Sequence, residues 1–302
     1  MRNNIKNKHL FLLESEAIGI IRKAIFSFKN PVMLFSGGKD SLVMLHLAYL
    51  ACYPNKIPFR ILHIDTGHNF PETITFRDEV AAQYNVELLV GSVEGTIAQG
   101  KAVDETGPGA TRNGIQSITL MDTIHEYQFD CVFGGGRRDE EKARAKERIF
   151  SYRNYNGKWE AENQQPELWN LFNLNSNEDS HYRCFPISNW TEMDVWQYIE
   201  AEQLTLPSLY FSHQRSVIER GGMWLANHPF IYPQVNEIAT VETIRFRTLG
   251  DVTCSGAIPS TATTVSDIIE ELQHLRISER GGRADDKRSE AAMENRKKQG
   301  YF

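Results

Sequence analysis

Residues 32–41 read Val-Met-Leu-Phe-Ser-Gly-Gly-Lys-Asp-Ser, and no other stretch of the chain indicates its fold so strongly. The first four residues form a short apolar run, which is typical of a strand buried on both faces of a parallel sheet. Adjacent glycines then allow a tight turn, and apolar residues resume helical spacing from Leu42 to Tyr53. The stretch therefore predicts a strand, a glycine loop at its carboxyl end, and a helix.

The glycine loop has the features of a phosphate site. Backbone N–H groups at a helix N-terminus bind anions, because they lack partners within the helix and lie at the positive end of its dipole. A simple connecting turn is the alternative, but doubly wound folds bind ligands at this place. We predict that nucleotide is bound by Ser36, Gly37, Gly38, Lys39, Asp40 and Ser41.

This loop is not a Walker A motif, because Met33 and Asp40 stand where that motif needs glycine and Ser or Thr. The shorter Gly-Gly-Lys-Asp-Ser loop resembles the PP-loop of the ATP pyrophosphatase family. Members of that family hold the leaving β,γ-pyrophosphate while the α-phosphate is attacked. The resemblance therefore implies adenylyl transfer and not γ-phosphoryl transfer.

Helical and strand patterns alternate between residues 9 and 133. Each strand run is short and apolar, and each helical run repeats apolar residues every three or four positions. The alternation implies an α/β fold with a doubly wound, mostly parallel sheet. We predict helices at 9–29, 42–53, 71–84 and 114–127, strands at 32–35, 59–64, 86–90 and 130–133, and a surface loop at 91–112.

The rest of the chain has a weaker pattern. We divide the chain into a nucleotide-binding catalytic domain, residues 1–215, and a C-terminal extension, residues 216–302, which acts as a lid or a partner-docking segment. The stretch from 137 to 215 is polar and aromatic with one clear helix. The predicted elements are a helix at 191–201, strands near 229–233 and 241–248, a helix near 264–276, and a charged tail after Ser278.

Polar residues suited to ligand binding follow two more strands. Asp65 ends the second strand, where a carboxylate can accept from ribose or adenine or help hold Mg²⁺; an Asx-turn is an equally good interpretation. Gly135 lies in a run of three glycines that permits close backbone approach after the fourth strand. Arg137 and Arg138 follow it, and paired guanidiniums suit tetrahedral oxyanions such as sulfate and triphosphate.

Other charged residues receive structural interpretations. The alternating charges of 142–148 are typical of a salt-bridged, solvent-facing helix. Arg245 and Arg247 alternate on a strand and could face substrate, although a single basic stripe is usually solvated. His63 is interpreted as a core residue of its strand or a neighbour of the nucleotide.

Five further segments carry a resemblance to a known family: 65–72 (Asp-Thr-Gly-His-Asn-Phe-Pro-Glu), 150–153, 165–169, 188–198 and 296–302. With these segments the chain resembles the small subunit of bacterial sulfate adenylyltransferase over nearly its whole length. The resemblance implies conversion of ATP and sulfate to adenylyl sulfate and pyrophosphate with Mg²⁺, the first step of sulfate assimilation. It also implies a partner, the GTPase large subunit, whose hydrolysis drives an uphill reaction. Catalysis would fall to Lys39, Arg137 and Arg138, with Asp65 and Gly135 joining the loop in nucleotide binding.

Three other functions remain open at this point. A (phospho)adenylylsulfate reductase shares the sheet but needs a nucleophilic cysteine in a mobile C-terminal tail, and no cysteine follows Cys254. A tRNA-modifying PP-loop enzyme usually needs cysteine pairs and a basic RNA surface. A non-catalytic nucleotide-binding regulator would keep the loop without turnover. The cysteines, which form no Cys-x-x-Cys pair, are Cys52, Cys131, Cys184 and Cys254.

Composition limits the class of protein. The 302 residues are 41% hydrophobic and 24% charged, which is ordinary for a globular chain. A net charge of −6 disfavours a dedicated nucleic-acid binder. No apolar run approaches the roughly 18 residues that span a bilayer, and no signal-peptide pattern follows the basic N-terminus. We therefore expect a cytoplasmic protein that contacts no membrane, with no zinc or iron–sulfur ligand spacing.

Overall fold

The structure is a computed structural model, and it describes residues 7–107, 109–140, 142–167, 174 and 180–274. The helices are α1 (Lys8–Ser27), α2 (Lys39–Cys52), α3 (Pro71–Gln83), α4 (Val93–Ala98), α5 (Asn113–Tyr127), α6 (Lys142–Ala145), α7 (Glu192–Glu202) and α8 (Val265–His274). The strands are β1 (Pro31–Leu34), β2 (Arg60–Asp65), β3 (Leu88–Ser92), β4 (Cys131–Phe133), β5 (Phe150–Arg153), β6 (His181–Cys184), β7 (His213–Arg220), β8 (Met223–Ala226), β9 (Thr240–Phe246) and β10 (Gly256–Pro259).

A six-stranded sheet forms the centre of the fold, in the order β3-β2-β1-β4-β6-β5. Every neighbouring pair is parallel except β5 with β6, which is antiparallel. Helices α1, α2, α3 and α7 pack on one face of the sheet, and α4 and α5 pack on the other. The predicted α/β class and the doubly wound, mostly parallel sheet are confirmed.

The apolar run at the start of β1 explains why this strand is central. Val32 and Met33 are both fully buried, and they point to opposite faces of the sheet. Helix α2 follows after the loop and is buried along most of its length, because it lies between the sheet and helices α1 and α7. A strand and helix buried this completely hold the loop between them in one position.

The position of β1 creates a crevice at the edge of the sheet. Its neighbours are β2 on one side and β4 on the other, so the chain leaves β1 and β4 toward opposite sides. Ligands of open α/β sheets bind at the carboxyl ends of the strands at such a reversal of strand order. The loop 36–41 follows β1 and the glycines 134–136 follow β4, so both border this crevice.

The C-terminal part of the described chain forms a second sheet. Strands β7 to β10 close into a barrel in the order β10-β8-β7-β9, with antiparallel pairs. The predicted strand at 241–248 is confirmed as β9, and the helix at 264–276 is confirmed as α8 over Val265–His274. The strand predicted near 229–233 is wrong, because that stretch forms turns and loop between β8 and β9.

Two further sequence predictions are wrong. The stretch 91–112 is not only a surface loop, because Ser92 caps a short helix, α4, by accepting a hydrogen bond from the Gly95 N–H. The polar stretch from 137 to 215 contains strands β5 and β6, which the sequence pattern did not reveal. The division at residue 215 stays a prediction, and the charged tail lies outside the described residues.

Candidate active site

A cavity of about 220 Å³ opens where β1 and β4 end. Its walls include the loop after β1, the end of β2 with the residues that follow it, the glycine turn after β4, the start of α5, and the stretch 248–254 that precedes β10. The cavity therefore joins the sheet to the C-terminal part of the chain. The lining residues with polar groups include Ser36, Lys39, Asp40, Ser41, His63, Thr66, Asn69, Asn113, Gln116, Glu140, Arg144, Tyr210, Thr248 and Asp251.

The loop 36–41 has the backbone shape of an anion cradle. Gly37 has φ +78°, in the left-handed region, and a Cβ there would lie 2.7 Å from the Thr73 methyl group. Helix α2 begins at Lys39, so its first-turn N–H groups lie at the loop. The Ser41 hydroxyl donates to the Gly38 carbonyl at 2.8 Å, which tightens the turn.

The charges of this loop are arranged around Asp40. One carboxylate oxygen accepts from Lys39 Nζ at 3.0 Å, and the other accepts from Arg137 Nε at 2.8 Å. Burial favours the neutral carboxyl, but Lys39 and Arg137 outweigh it and hold the pKa of Asp40 below its usual value. Asp40 is therefore ionised at neutral pH and holds both cations in place.

A second carboxylate supports the same cations from helix α7. Glu192 accepts two hydrogen bonds from Arg247, at 3.0 Å and 2.6 Å, just beyond the end of β9. Burial opposes ionisation of Glu192, but the Arg247 hydrogen bonds and the nearby Lys39 charge lower its pKa. Lys39 thus lies in a network of alternating charges that spans the sheet and the barrel.

Tyr210 contacts the loop from a 3-10 helix, Ser208–Tyr210. Its hydroxyl accepts from the Lys39 backbone N–H at 2.9 Å, and its ring packs edge-on against Trp196 with centroids 5.5 Å apart. The side chain is 1% exposed and lines the cavity. Sequence reasoning missed Tyr210, because nothing near it in the sequence marks it as a neighbour of a loop 171 residues away.

The predicted site residues are not all brought together. Ser36, Gly38, Lys39, Asp40, Ser41 and Gly135 line the cavity. Arg137 is fully buried beside Asp40, and its Nη1 lies 3.7 Å from Asp139. Asp65 forms the Asx-turn, since its carboxylate accepts from the Gly67 N–H at 2.8 Å.

Arg138 points away from the cavity. Its guanidinium donates to Asn189 at 2.6 Å, to Glu167 at 2.9 Å and to the Glu147 carbonyl. These contacts connect the turn after β4 to the segments around β5 and α7. In this structure Arg138 braces the fold, while the neighbouring Arg137 supports Asp40.

Three arginines are more buried than the sequence pattern suggested. The solvent-facing helix predicted over 142–148 is wrong for Arg144, which is 4% exposed and lines the cavity. The solvated stripe on β9 is also wrong. Arg245 is fully buried and pairs with Glu271 at 3.1 Å, and Arg247 pairs with Glu192.

His63 lies at the end of β2 against the cavity. Its Nδ1 is 2.9 Å from the Phe35 carbonyl, so this nitrogen carries the proton and donates. Burial lowers the pKa of His63, which outweighs the opposite effect of that hydrogen bond. The ring is therefore neutral at pH 7, with Nε2 available only as an acceptor.

Within the described ranges, no group of three or more His, Cys, Asp or Glu side chains is placed to hold a metal ion. None of the described helices is both long enough and apolar enough to cross a bilayer.

The chain resembles known proteins both in sequence and in fold. Residues 30–257 match the family model described as phosphoadenosine phosphosulfate reductase domain. An FMN adenylyltransferase structure from Candida glabrata is 18% identical, covers 91% of this chain and 87% of its own, and has a TM-score of 0.49. A phosphoadenylyl-sulfate reductase structure from Candida auris is 18% identical, covers 68% and 91%, and has a TM-score of 0.44. Both likenesses are too remote to bear on what this chain binds.

Curated relatives give a much stronger match. Sulfate adenylyltransferase subunit 2 of Mycobacterium tuberculosis (strain ATCC 25618 / H37Rv) is 55% identical over 295 residues, which is 97% of this chain and 94% of the relative. The protein of the same name from Mycolicibacterium gilvum (strain PYR-GCK) is 54% identical over the same shares. Identity this high over nearly the full length of both chains shows that the protein belongs to the sulfate adenylyltransferase subunit 2 family of adenylyl-transferring enzymes.

Proposed function

We propose that this chain transfers the adenylyl group of ATP to sulfate, producing adenylyl sulfate and pyrophosphate. The observation that carries the proposal is the cavity at the ends of β1 and β4, which is lined by the glycine loop and by the buried Lys39. A loop of this shape at a helix N-terminus is suited to phosphate groups. Membership of the sulfate adenylyltransferase family supplies sulfate as the acceptor.

The reaction needs no protein nucleophile. A sulfate oxygen attacks the α-phosphorus of ATP, which forms a new P–O–S bridge. The bond between the α-phosphorus and the oxygen that bridges the α- and β-phosphates breaks. The electron pair of that bond leaves on pyrophosphate, so negative charge grows on the leaving group. Lys39 and the first-turn N–H groups of α2 would stabilise this charge, because they are fixed before the reaction begins.

Asp40 would control how Lys39 meets the nucleotide. In this structure the Lys39 ammonium is held by Asp40 at 3.0 Å, and Arg137 holds the other oxygen of the same carboxylate. A triphosphate in the loop would compete with Asp40 for the ammonium. Arg137 would then keep Asp40 neutralised while Lys39 turns toward the phosphates.

Mg²⁺ fits this site only as an ion carried by the nucleotide. Both oxygens of Asp40 accept from cations, and Asp251 Oδ1 accepts from the Thr253 hydroxyl and the Cys254 N–H. Mg²⁺ keeps several waters and is often held by substrate phosphates with few protein carboxylates. When bound there, Mg²⁺ would neutralise negative charge on the triphosphate.

We also propose a GTPase partner. The mixed anhydride of sulfate and phosphate is less stable than the bond that it replaces, so the forward reaction is uphill without another source of energy. This chain has no Walker A loop, and GTP would therefore be handled by a second polypeptide. The name of the relatives, subunit 2, is consistent with a partner subunit. The extension 216–302 is our candidate for the docking or lid segment.

The direct test measures sulfate-dependent release of pyrophosphate from ATP, with and without a co-purified GTPase subunit and GTP. We expect release that requires sulfate and increases when the partner hydrolyses GTP. Release that ignores sulfate would contradict the assignment of the acceptor. Thioredoxin-dependent release of sulfite from the adenylylated product would indicate a reductase instead, and we expect none.

Lys39→Ala tests the role of the loop in turnover. We expect a loss of about 10²- to 10³-fold in kcat, because a fixed cation that meets the leaving pyrophosphate is removed. The matched control is Lys56→Ala, since Lys56 is exposed beyond the end of α2. Circular dichroism should be unchanged for both variants. Full turnover in Lys39→Ala would contradict the proposed mechanism.

A further inference from the structure

A cluster of buried charges lies behind the glycine turn that follows β4, and the proposed mechanism does not use it. Arg144, Arg153 and Arg183 are all at most 4% exposed, and Glu147 is equally buried among them. Glu147 accepts from Arg153 at 2.7 Å and from the Ser151 hydroxyl at 2.9 Å. Buried guanidiniums are costly unless an anion or another acceptor compensates them.

Arg144 is the member of this cluster that reaches the cavity. Its guanidinium packs over the Phe185 ring at 6.0 Å, and it lies so close to the glycine turn that a Cβ on Gly136 would be 2.8 Å from Nη1. Only glycine at position 136 leaves room for the guanidinium in this place. Its Nε lies 3.8 Å from a carboxylate oxygen of Glu140, which also lines the cavity.

The other two arginines raise the positive potential at Arg144. Burial, with repulsion from Arg153 and Arg144, lowers the pKa of Arg183 to about 9, although Glu147 acts in the opposite direction. Arg183 on β6 is paired with Ser151 on β5, so the two side chains lie on the same face of the sheet. Ser151 donates to Glu147, which places Arg183 on the face of the sheet where Glu147 is bound. An oxyanion at Arg144 would relieve this repulsion.

The arginines predicted to hold the oxyanion are less suited to it. Arg138 is committed to Asn189 and Glu167 outside the cavity, and Arg137 is buried beside Asp40 without lining the cavity. Arg144 lines the cavity next to the turn that faces Asp40, since a Cβ on Gly135 would be 3.2 Å from Asp40 Cβ. The glycine turn 134–136 therefore contacts Asp40 of the loop 36–41 through Gly135 and Arg144 through Gly136.

We propose that Arg144 binds the tetrahedral oxyanion of the second substrate, sulfate, and that Arg153 and Arg183 reinforce its charge from behind. This inference rests on the proposed function, and it names the residue that holds the acceptor. The same chemistry would suit a terminal phosphate of ATP. The experiment must therefore distinguish sulfate from the phosphates.

The affinities of the full chain for three ligands distinguish a sulfate site from a phosphate site, and their measurement needs no turnover. AMP, ATP and adenylyl sulfate share the adenylyl group. The affinity of ATP or adenylyl sulfate divided by that of AMP therefore measures the contribution of the added pyrophosphate or sulfate group. In Arg144→Gln we expect the preference for adenylyl sulfate over AMP to fall about 10- to 100-fold, the range for a charged hydrogen bond. The preference for ATP over AMP should be unchanged. A fall in the ATP preference alone would assign Arg144 to pyrophosphate and overturn the proposal.

Gly136→Ala provides a second variant that keeps every charge. The added methyl group meets the end of the flexible Arg144 side chain, so it should displace the guanidinium while the backbone is retained. We expect the same selective loss for adenylyl sulfate, about 3- to 10-fold, with AMP affinity preserved as a check on folding. An unchanged adenylyl sulfate preference in both variants would overturn the proposal.

The matched control is Arg148→Gln, since Arg148 is exposed four residues further along. It should leave all three affinities unchanged. An equal loss of the adenylyl sulfate preference in Arg148→Gln would show that any lost positive charge has this effect, and it would overturn the assignment to Arg144. If wild-type protein bound adenylyl sulfate no more tightly than AMP, the proposed function itself would fail. If only the proposal for Arg144 is wrong, the wild-type protein still binds adenylyl sulfate more tightly than AMP.

Discussion

Asp40 shows how one residue sets the chemistry of a phosphate loop. An acid inside an anion site is unexpected, because it repels the ligand that the loop should bind. Here its carboxylate accepts hydrogen bonds from Lys39 and Arg137, so two cations are held in fixed places beside the proposed nucleotide site. The hydrogen bond to Asp40 keeps the Lys39 ammonium at the cavity and out of solvent. Phosphate oxygens bound in the loop would compete with Asp40 for this ammonium.

Tyr210→Phe should weaken nucleotide binding while the fold is retained. The variant removes the hydroxyl that accepts from the Lys39 N–H, so the loop loses a contact that fixes its first turn. We expect kcat/KM for ATP to fall about 3- to 10-fold and the free energy of unfolding to fall by about 1 kcal/mol. Steady-state kinetics and urea unfolding measure the two effects.

The matched control for Tyr210 is Tyr84→Phe. The Tyr84 hydroxyl also has a half-buried partner, His46 on α2 at 2.9 Å, but Tyr84 follows the end of α3 and neither residue lines the cavity. Its loss should reduce stability by a similar amount and leave kcat/KM for ATP unchanged. An equal kinetic effect in both variants would mean that Tyr210 acts only through general stability.

Helix α8 is joined to the barrel by a buried ion pair as well as by apolar packing. Arg245 on β9 is fully buried, and Glu271 on α8 accepts from its Nη2 at 3.1 Å and its Nε at 3.2 Å. Ser260 also donates to Glu271 at 2.7 Å, next to the end of β10. One carboxylate therefore ties the helix to two strands of the barrel.

Glu271→Gln should destabilise the protein by about 2 to 4 kcal/mol, because it leaves a guanidinium buried without its anion. The neighbouring Glu270 is exposed on the same helix, so Glu270→Gln is the control and should change stability by less than about 0.5 kcal/mol. Urea unfolding at neutral pH measures both. Equal small effects would show that Arg245 does not depend on this pair.

The success of sequence reasoning differs between elements for a physical reason. The unit from β1 to α2 was predicted because its apolar run, glycine turn and helical spacing are all local. Strands β5 and β6 were missed because they carry buried polar residues, among them Ser151, Arg153 and Arg183, which hide the apolar pattern. Their burial depends on partners such as Glu147, and no spacing rule reveals such partners.

The candidate site was predicted in the same uneven way. The glycines and Lys39 are recognisable from their neighbours in sequence. The burial of Arg144 is decided by its packing under Gly136 and Phe185, and the charge alternation around it is equally typical of a solvated helix. The roles of Arg137 and Arg138 could not be separated by sequence, because adjacent residues point to different parts of the fold.

At the scale of the whole molecule, the cavity depends on segments far apart in the chain. The loop 36–41 and the stretch 248–254 both line it, and His68 contacts this stretch by accepting a backbone hydrogen bond from Val252. Ligand binding should therefore order both parts together. A ligand at about 100 times its Kd stabilises a protein by about 2.7 kcal/mol.

Hydrogen–deuterium exchange with a non-hydrolysable ATP analogue tests this coupling. We expect slower amide exchange both in residues 36–41 and in residues 248–254, since both form walls of the same cavity. Residues 213–220 on the barrel strand β7 serve as an internal control, because they do not line it. Protection confined to the loop 36–41 would show that the C-terminal part does not take part in binding.

The same wall has a consequence for the making of the protein. During translation the phosphate loop leaves the ribosome early, but the segment that closes the cavity is synthesised more than 200 residues later. An unfinished polypeptide therefore holds the loop open to water, where the triphosphate would not be enclosed. The proposed turnover of ATP would therefore begin only when residues 248–254 have been synthesised and folded against the loop.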